Sequence, residues 1–177
     1  VRHIDGIARH PLAAKRSGVF ACGRVVNHPL LARAPARWTT PHSRRNDLPE
    51  AALRARGYRI LSRSPVAGAD VFVKRCGSLF VFLQGHPEYD AGALGREYRR
   101  DVVDFLAGKS GRYPELPVDY FPDDVASALL AFRAAALRRP GDALFDRFPT
   151  LPALSAPWHG AAVGLFEELL TGRDHLF

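Results

Sequence analysis

The stretch "LFVFLQGHPEYD", Leu79–Asp90, carries five apolar residues straight into a histidine and a glutamate separated by a single proline. An unbroken apolar run of this length, bounded by turn residues, is the pattern of a strand buried on both faces, as in a sheet covered by helices. Beyond it, Asp90 to Gly92 opens a helix expected from about Ala93 to Ala107, with Leu94, Tyr98, Val102 and Phe105 recurring along one face. Strand, loop and helix in that order make an α/β unit. In open sheets of that kind ligands bind beyond the carboxyl ends of the strands, where His86 and Glu88 stand.

Working upstream, "YRILSRS" and "DVFVKR" read as strands, "CGS" as the tight turn into the apolar run, and "LPEAALRARG" as a short helix with proline near its start and Gly57 at its end. Residues 1 to 47 have weaker periodicity. There "SGVFACGRVV" predicts a strand pair broken near Gly23, and "TTPHSRRND" predicts a loop. Downstream, a helix is expected from about Asp124 to Arg138 with Asp123 or Asp124 as its N-cap. "RRPGDALFDRFPTLPALSAP" reads as mostly loop, and Trp158 to Leu170 as a last amphipathic helix closed near Gly172. With no repeat and no long linker, residues 1–177 read as a single domain.

The composition agrees with one ordinary core: 177 residues, 47% hydrophobic and 24% charged. No run of about 18 apolar residues exists, and the N-terminal stretch lacks the apolar centre of a signal peptide, so the expectation is a cytoplasmic protein away from membranes. The net charge of +7 is carried almost wholly by scattered arginines, without the clustered basic and aromatic residues of a nucleic-acid surface. A small anionic ligand such as coenzyme A fits that charge. Cys22 and Cys76 have neither metal-ligand spacing nor enough company for a disulfide scaffold and read as free thiols. Methionine is absent, so Val1 is either a GTG start written as valine or a cut inside a longer chain.

In "GHPE", Pro87 fixes its own φ and biases His86 away from helical geometry, so His86 and Glu88 can meet around one loop. A histidine oriented by a carboxylate is a general base, and it is half of a triad that still needs a nucleophile. The plainer alternative is a polar loop with Glu88 near a helix N-terminus. "HPE" also matches the H-x-E of zinc deaminases, but no P-C-x-x-C follows and no metal is expected. On pattern alone Arg100 is a solvated charge paired with Glu97 or Asp104, Lys15 a surface lysine and Ser43 a turn residue.

"QGHPEYDAGALGREYRRD" resembles the signature of the homoserine O-acyltransferases of the succinyl- or acetyltransferase type. The G-H-P-E-Y-D and E-Y-x-R-D motifs are matched by Gly85 to Asp90 and by Glu97, Tyr98, Arg100 and Asp101. "KRSGVF" from Lys15, "PHSR" from Pro41, "YFP" from Tyr120 and the tryptophan helix near Trp158 follow the same order. The resemblance implies a class I glutamine-amidotransferase-like (flavodoxin-like) α/β sheet with flanking helices, and a homodimer. It further implies transfer of an acyl group from succinyl- or acetyl-coenzyme A, as co-substrate, to L-homoserine through a cysteine thioester, with no bound cofactor. By that resemblance His86 is the general base and Glu88 its orienting partner. Arg100 holds the amino-acid carboxylate, and Lys15 and Ser43 line the acyl and substrate pocket. The nucleophile's strand-to-helix elbow is expected before Val1, the N-terminal strands with it, and neither Cys22 nor Cys76 matches its place.

Two other readings remain at this level. A class I glutamine amidotransferase or related amidase would use the same H-x-E pair, although "EYRRD" and "PHSR" argue against it. A shortened, inactive chain acting as a binding or interaction module would leave an unpaired sheet edge and self-associate.

Overall fold

The computed structural model describes residues 1–171, a mixed α/β arrangement of two antiparallel sheets flanked by helices. The expected helix closure at Gly172 lies outside the described residues. Helix α1 (Arg2–Asp5) leads into β1 (His10–Arg24), a single continuous strand where a pair broken near Gly23 was expected. It pairs antiparallel with β2 (Arg37–Asp47), from Gly23 opposite Arg37 to His10 opposite Asp47. The register slips between Pro11 and Arg16, where Pro11 has no N–H to give the ladder.

The polar stretch expected to be a loop is thus most of a strand. In the order β2-β1-β4-β5, β2 lies at an edge, and an edge strand tolerates Pro41 and polar side chains that a central strand would not.

After α2 (Glu50–Ala55), the stretch expected as one strand divides at Leu61 into β3 (Arg59–Ile60) and β4 (Ser62–Ser64), one in each sheet. Leu61 is fully buried and its backbone bonds both ways, donating to Val71 and accepting from Val25, each at 2.8 Å. Strand β5 (Gly68–Ala69) completes the first sheet. Strand β6 (Val71–Cys76) turns at Gly77 into β7 (Ser78–Leu83), giving the second sheet the order β3-β6-β7.

Strand β7 is not the doubly buried strand its composition suggests. It is an edge strand whose residues are half-buried and whose Phe80 is exposed. Both faces are apolar for a reason, since Leu79, Val81 and Leu83 pack on Leu30, Leu31, Val71 and Leu165, and Phe82 packs oppositely on Tyr58 and Phe72. An edge position exposes them all the same.

The sequence-derived helices hold. Helix α3 (Ala93–Leu106) buries Tyr98, Val102 and Leu106 against α4 (Asp123–Arg138), whose Leu129, Phe132 and Ala136 complete that core. Pro122 occupies the N-cap of α4, so Asp123 and Asp124 act from the first turn, where a carboxylate still favours the helix dipole. The expected loop after α4 contains a 3-10 turn over Asp142–Arg147. Helix α5 (His159–Thr171) follows Trp158, which is 2% exposed and packs with Val19 and Leu94 where the sheet meets α3. Among the described residues no helix is long and apolar enough to cross a membrane.

Candidate active site

The chain leaves β7 through Gln84, Gly85 and His86, and two backbone bonds fix its path. The Gln84 N–H donates to Asp70 O at 2.8 Å, and the His86 N–H to the edge carbonyl of Pro41 at 2.7 Å. The Tyr89 N–H then closes a turn on His86 O at 3.1 Å. Within that turn Pro87 separates two side chains that meet: His86 Nδ1 stands 2.8 Å from Glu88 Oε1. Such a contact makes Nδ1 the protonated nitrogen and leaves Nε2 with a free lone pair. The imidazole stacks on Tyr89, ring centres 4.3 Å apart, and remains one-third exposed. Trp158 pins the turn from below by donating Nε1–H to Tyr89 O at 2.8 Å.

A shared carboxylate joins this turn to three other elements. Glu97 on α3 accepts from Tyr89 Oη at 2.7 Å, from Lys15 Nζ of β1 at 3.2 Å, and from Ser43 Oγ of β2. Lys15 also donates to Asp101 Oδ2 at 2.8 Å, one turn further along α3. Burial works against the Glu97 charge, but the Ser43 and Tyr89 hydrogen bonds and the Lys15 charge outweigh it and hold its pKa below the usual carboxylate range. Tyr89 moves upward, from burial and from its hydrogen bond to Glu97.

Arg100 sits on the outer side of α3, as its helical position requires, with Nη2 3.2 Å from Asp101 Oδ1 and most of the guanidinium in solvent. It nevertheless shares an open pocket of about 440 Å³ with Glu88, Tyr89 and Glu97, so the helix end does face the histidine loop. The five residues singled out from the sequence fall into one region. His86 and Glu88 touch each other, Lys15 and Ser43 meet through Glu97, and Arg100 borders the same pocket. Sequence reasoning passed over Glu97, Asp101 and Tyr89 as site residues. The signal was the i, i+4 spacing of two acids beside the apolar stripe of α3, which makes a carboxylate face ready for a lysine. Lys15 and Asp101 also border a second cavity of about 380 Å³, together with Arg45 and Arg112.

Neither cysteine stands where a nucleophile is needed. Cys22 is buried with Sγ 3.6 Å from Phe20 O, and burial followed by the Asp70 charge pushes its thiol far up, which suppresses the reactive thiolate. Cys76 is exposed, but it lies at the Gly77 turn, the opposite end of β7 from His86. Six residues of strand span about 20 Å at about 3.3 Å each.

The family profile described as homoserine O-succinyltransferase matches residues 1–147. A homoserine O-succinyltransferase of Methylorubrum extorquens is 51% identical over 173 residues, covering 96% of this chain and 52% of that protein. One of Rhodopseudomonas palustris is 50% identical over 151 residues, covering 85% of this chain and 45% of that protein. One of Bradyrhizobium japonicum is 44% identical over 151 residues, covering 85% and 46%. The chain therefore spans about half the length of the curated relatives it matches. With the profile lying across both sheets, the His86 turn and α3, the chain belongs to the homoserine O-succinyltransferase family.

Proposed function

We propose that this chain contributes the general base and substrate-binding half of an acyltransferase that moves a succinyl group from succinyl-coenzyme A to the hydroxyl of L-homoserine. The observation that carries the reading is the 2.8 Å contact of His86 Nδ1 with Glu88, beside a pocket shared with Arg100 and Glu97. The names of the relatives favour succinyl over acetyl. The fold expected for the whole enzyme is amidotransferase-like, a reading supported by the order of its motifs along the chain.

In the proposed reaction the acyl group is first carried as a thioester on a cysteine outside the described residues, with free coenzyme A as the first product. His86 Nε2 then removes the proton from the homoserine hydroxyl as that oxygen attacks the thioester carbonyl. Collapse of the adduct breaks the carbon–sulfur bond, and the proton held by His86 passes to the departing thiolate. Glu88 keeps the imidazole oriented and stabilises its positive charge during the step. Arg100 presents a planar guanidinium fork to the amino-acid carboxylate. Lys15 and Ser43, held by Glu97, line the acyl side.

The test is product identity. Joined to the N-terminal half of the Methylorubrum extorquens relative in place of its homologous residues, the chain is expected to form O-succinylhomoserine from succinyl-coenzyme A and homoserine, detected by mass. Ammonia release from glutamine without acyl-homoserine would overturn the reading in favour of an amidase. A homoserine product made only from acetyl-coenzyme A would correct the donor.

A further inference from the structure

Behind the His86 turn lies a buried polar cluster for which the proposed chemistry has no use. His42 on β2 is wholly buried, with Nδ1 2.5 Å from an Arg44 guanidinium nitrogen. A guanidinium only donates, so Nδ1 accepts and Nε2 carries the ring proton. That Nε2 has no hydrogen-bond partner and faces Asp70 Oδ1 at 3.6 Å. Asp70, 2% exposed, accepts on Oδ2 from Ser62 at 3.0 Å and Thr40 at 3.4 Å. Burial and the Arg44 charge push His42 down to about 3, which keeps its ring neutral, and burial pushes the Asp70 carboxyl up.

Cys22 Sγ joins them, with all three donor atoms within 4.8 Å of one another. The set does not fit a cation: the nitrogen that would face it already holds a proton, because Arg44 occupies the other.

What the cluster does touch is Gly85. A Cβ there would overlap Thr40 Cγ2 and stand 2.7 Å from Asp70 Oδ1 and 3.1 Å from His42 Nε2. The backbone immediately before His86 thus lies directly on Thr40, Asp70 and His42. On either side of that contact, the Gln84 and His86 amides are tied to Asp70 O and Pro41 O. We infer that Asp70 and His42 are positioning residues for His86: they form the seat on which Gly85 rests, and so direct the imidazole at Glu88. The catalytic meaning of this seat rests on the proposed role of His86, but its geometry is testable without turnover.

The ring 15N shifts of His86, read from long-range 1H–15N spectra of the 177-residue chain in alkaline buffer, report which nitrogen holds the proton. A free neutral imidazole favours the Nε2–H tautomer, whereas an acceptor at Nδ1 imposes Nδ1–H. The expected pattern is Nδ1–H in the unmodified chain and its loss in E88A, which removes the acceptor. G85A is expected to lose it as well while the thermal transition stays cooperative. Adding T40S to G85A removes the methyl that the new Cβ meets but keeps the hydroxyl, and is expected to recover part of the Nδ1–H population. An unmodified His86 signal in folded G85A overturns the inference and leaves the His86–Glu88 pair standing. Absence of Nδ1–H in the unmodified chain overturns both. Should G85A not fold, H42A empties the seat instead of crowding it, and an unchanged tautomer there is equally fatal. Acyl transfer failing while the tautomer responds as described would sink the proposed function alone.

Discussion

Glu97 gathers Lys15, Ser43 and Tyr89 onto one carboxylate, and its removal should be felt in all three. Glu97→Gln keeps the shape but loses the charge-assisted bonds, and a loss of about 1–3 kcal/mol is expected in urea denaturation. Because its folded pKa is depressed, the Glu97 contribution is present above the ordinary value of 4.5 and disappears as pH falls below it. His42 adds a second acid-sensitive effect. Its folded pKa of about 3 lies below the ordinary 6.5, so between those values the unfolded chain binds a proton that the native chain refuses. Stability should therefore fall on acidification through that window, by at most about 1.4 kcal/mol per pH unit for one group. Asp70, displaced upward, opposes it: its contribution is present in acid and fades as pH rises past 3.8. The pH profile of the unmodified chain minus that of His42→Gln isolates the histidine. A difference that stays flat from pH 6.5 to 3 would mean that His42 is not buried neutral.

At the scale of elements, helices were legible and edges were not. Periodicity located α3 to within a residue because a 14-residue amphipathic helix repeats its signal several times. Pro41 and its polar neighbours signal a turn locally, so the pattern of β2 predicts a loop, and only the sheet order shows that they occupy an edge. The apolar run of β7 predicts a doubly covered strand for the converse reason, since composition reports the polarity of a strand's faces and says nothing about a partner on its far side. Along one face of the second sheet burial nevertheless differs from strand to strand. Phe72 on β6, 1% exposed and stacked on Phe82 at 5.1 Å, should cost about 3–5 kcal/mol when replaced by alanine. Phe80→Ala, on the same face but 41% exposed on the edge strand, should cost much less, and equal losses in thermal denaturation would contradict the edge assignment. A second element-level test is Gly18, at φ 148, where a Cβ would stand 2.5 Å from Val118 N. Val118 is stitched to β1 there by two 2.9 Å backbone bonds, to Ser17 O and from the Val19 N–H. Gly18→Ala should destabilise by more than about 1 kcal/mol and deprotect the Val19 and Val118 amides in hydrogen exchange.

For the molecule as a whole, the sequence carried the site better than the sheet. Short motifs such as "GHPE" and "PHSR" specify side chains that must converge, and the backbone brings them together: His86 is tied to Pro41, and Ser43 to Glu97. What local pattern could not supply was the carboxylate linking them, because Glu97 gains its role only when β1 and β2 pack beside α3. The two thiols complete the picture at this scale, one buried and protonated, the other at the wrong end of β7. The proposed chemistry turns on His86, oriented by Glu88, acting as the base for acyl transfer to homoserine. The most direct measurement is homoserine-dependent release of free coenzyme A from succinyl-coenzyme A, using this chain joined to the N-terminal half of the Methylorubrum extorquens relative and comparing it with its His86→Ala variant. The expected result is release that His86→Ala lowers by about 100-fold or more while the variant remains folded. Homoserine-dependent release that survives His86→Ala undiminished would contradict it.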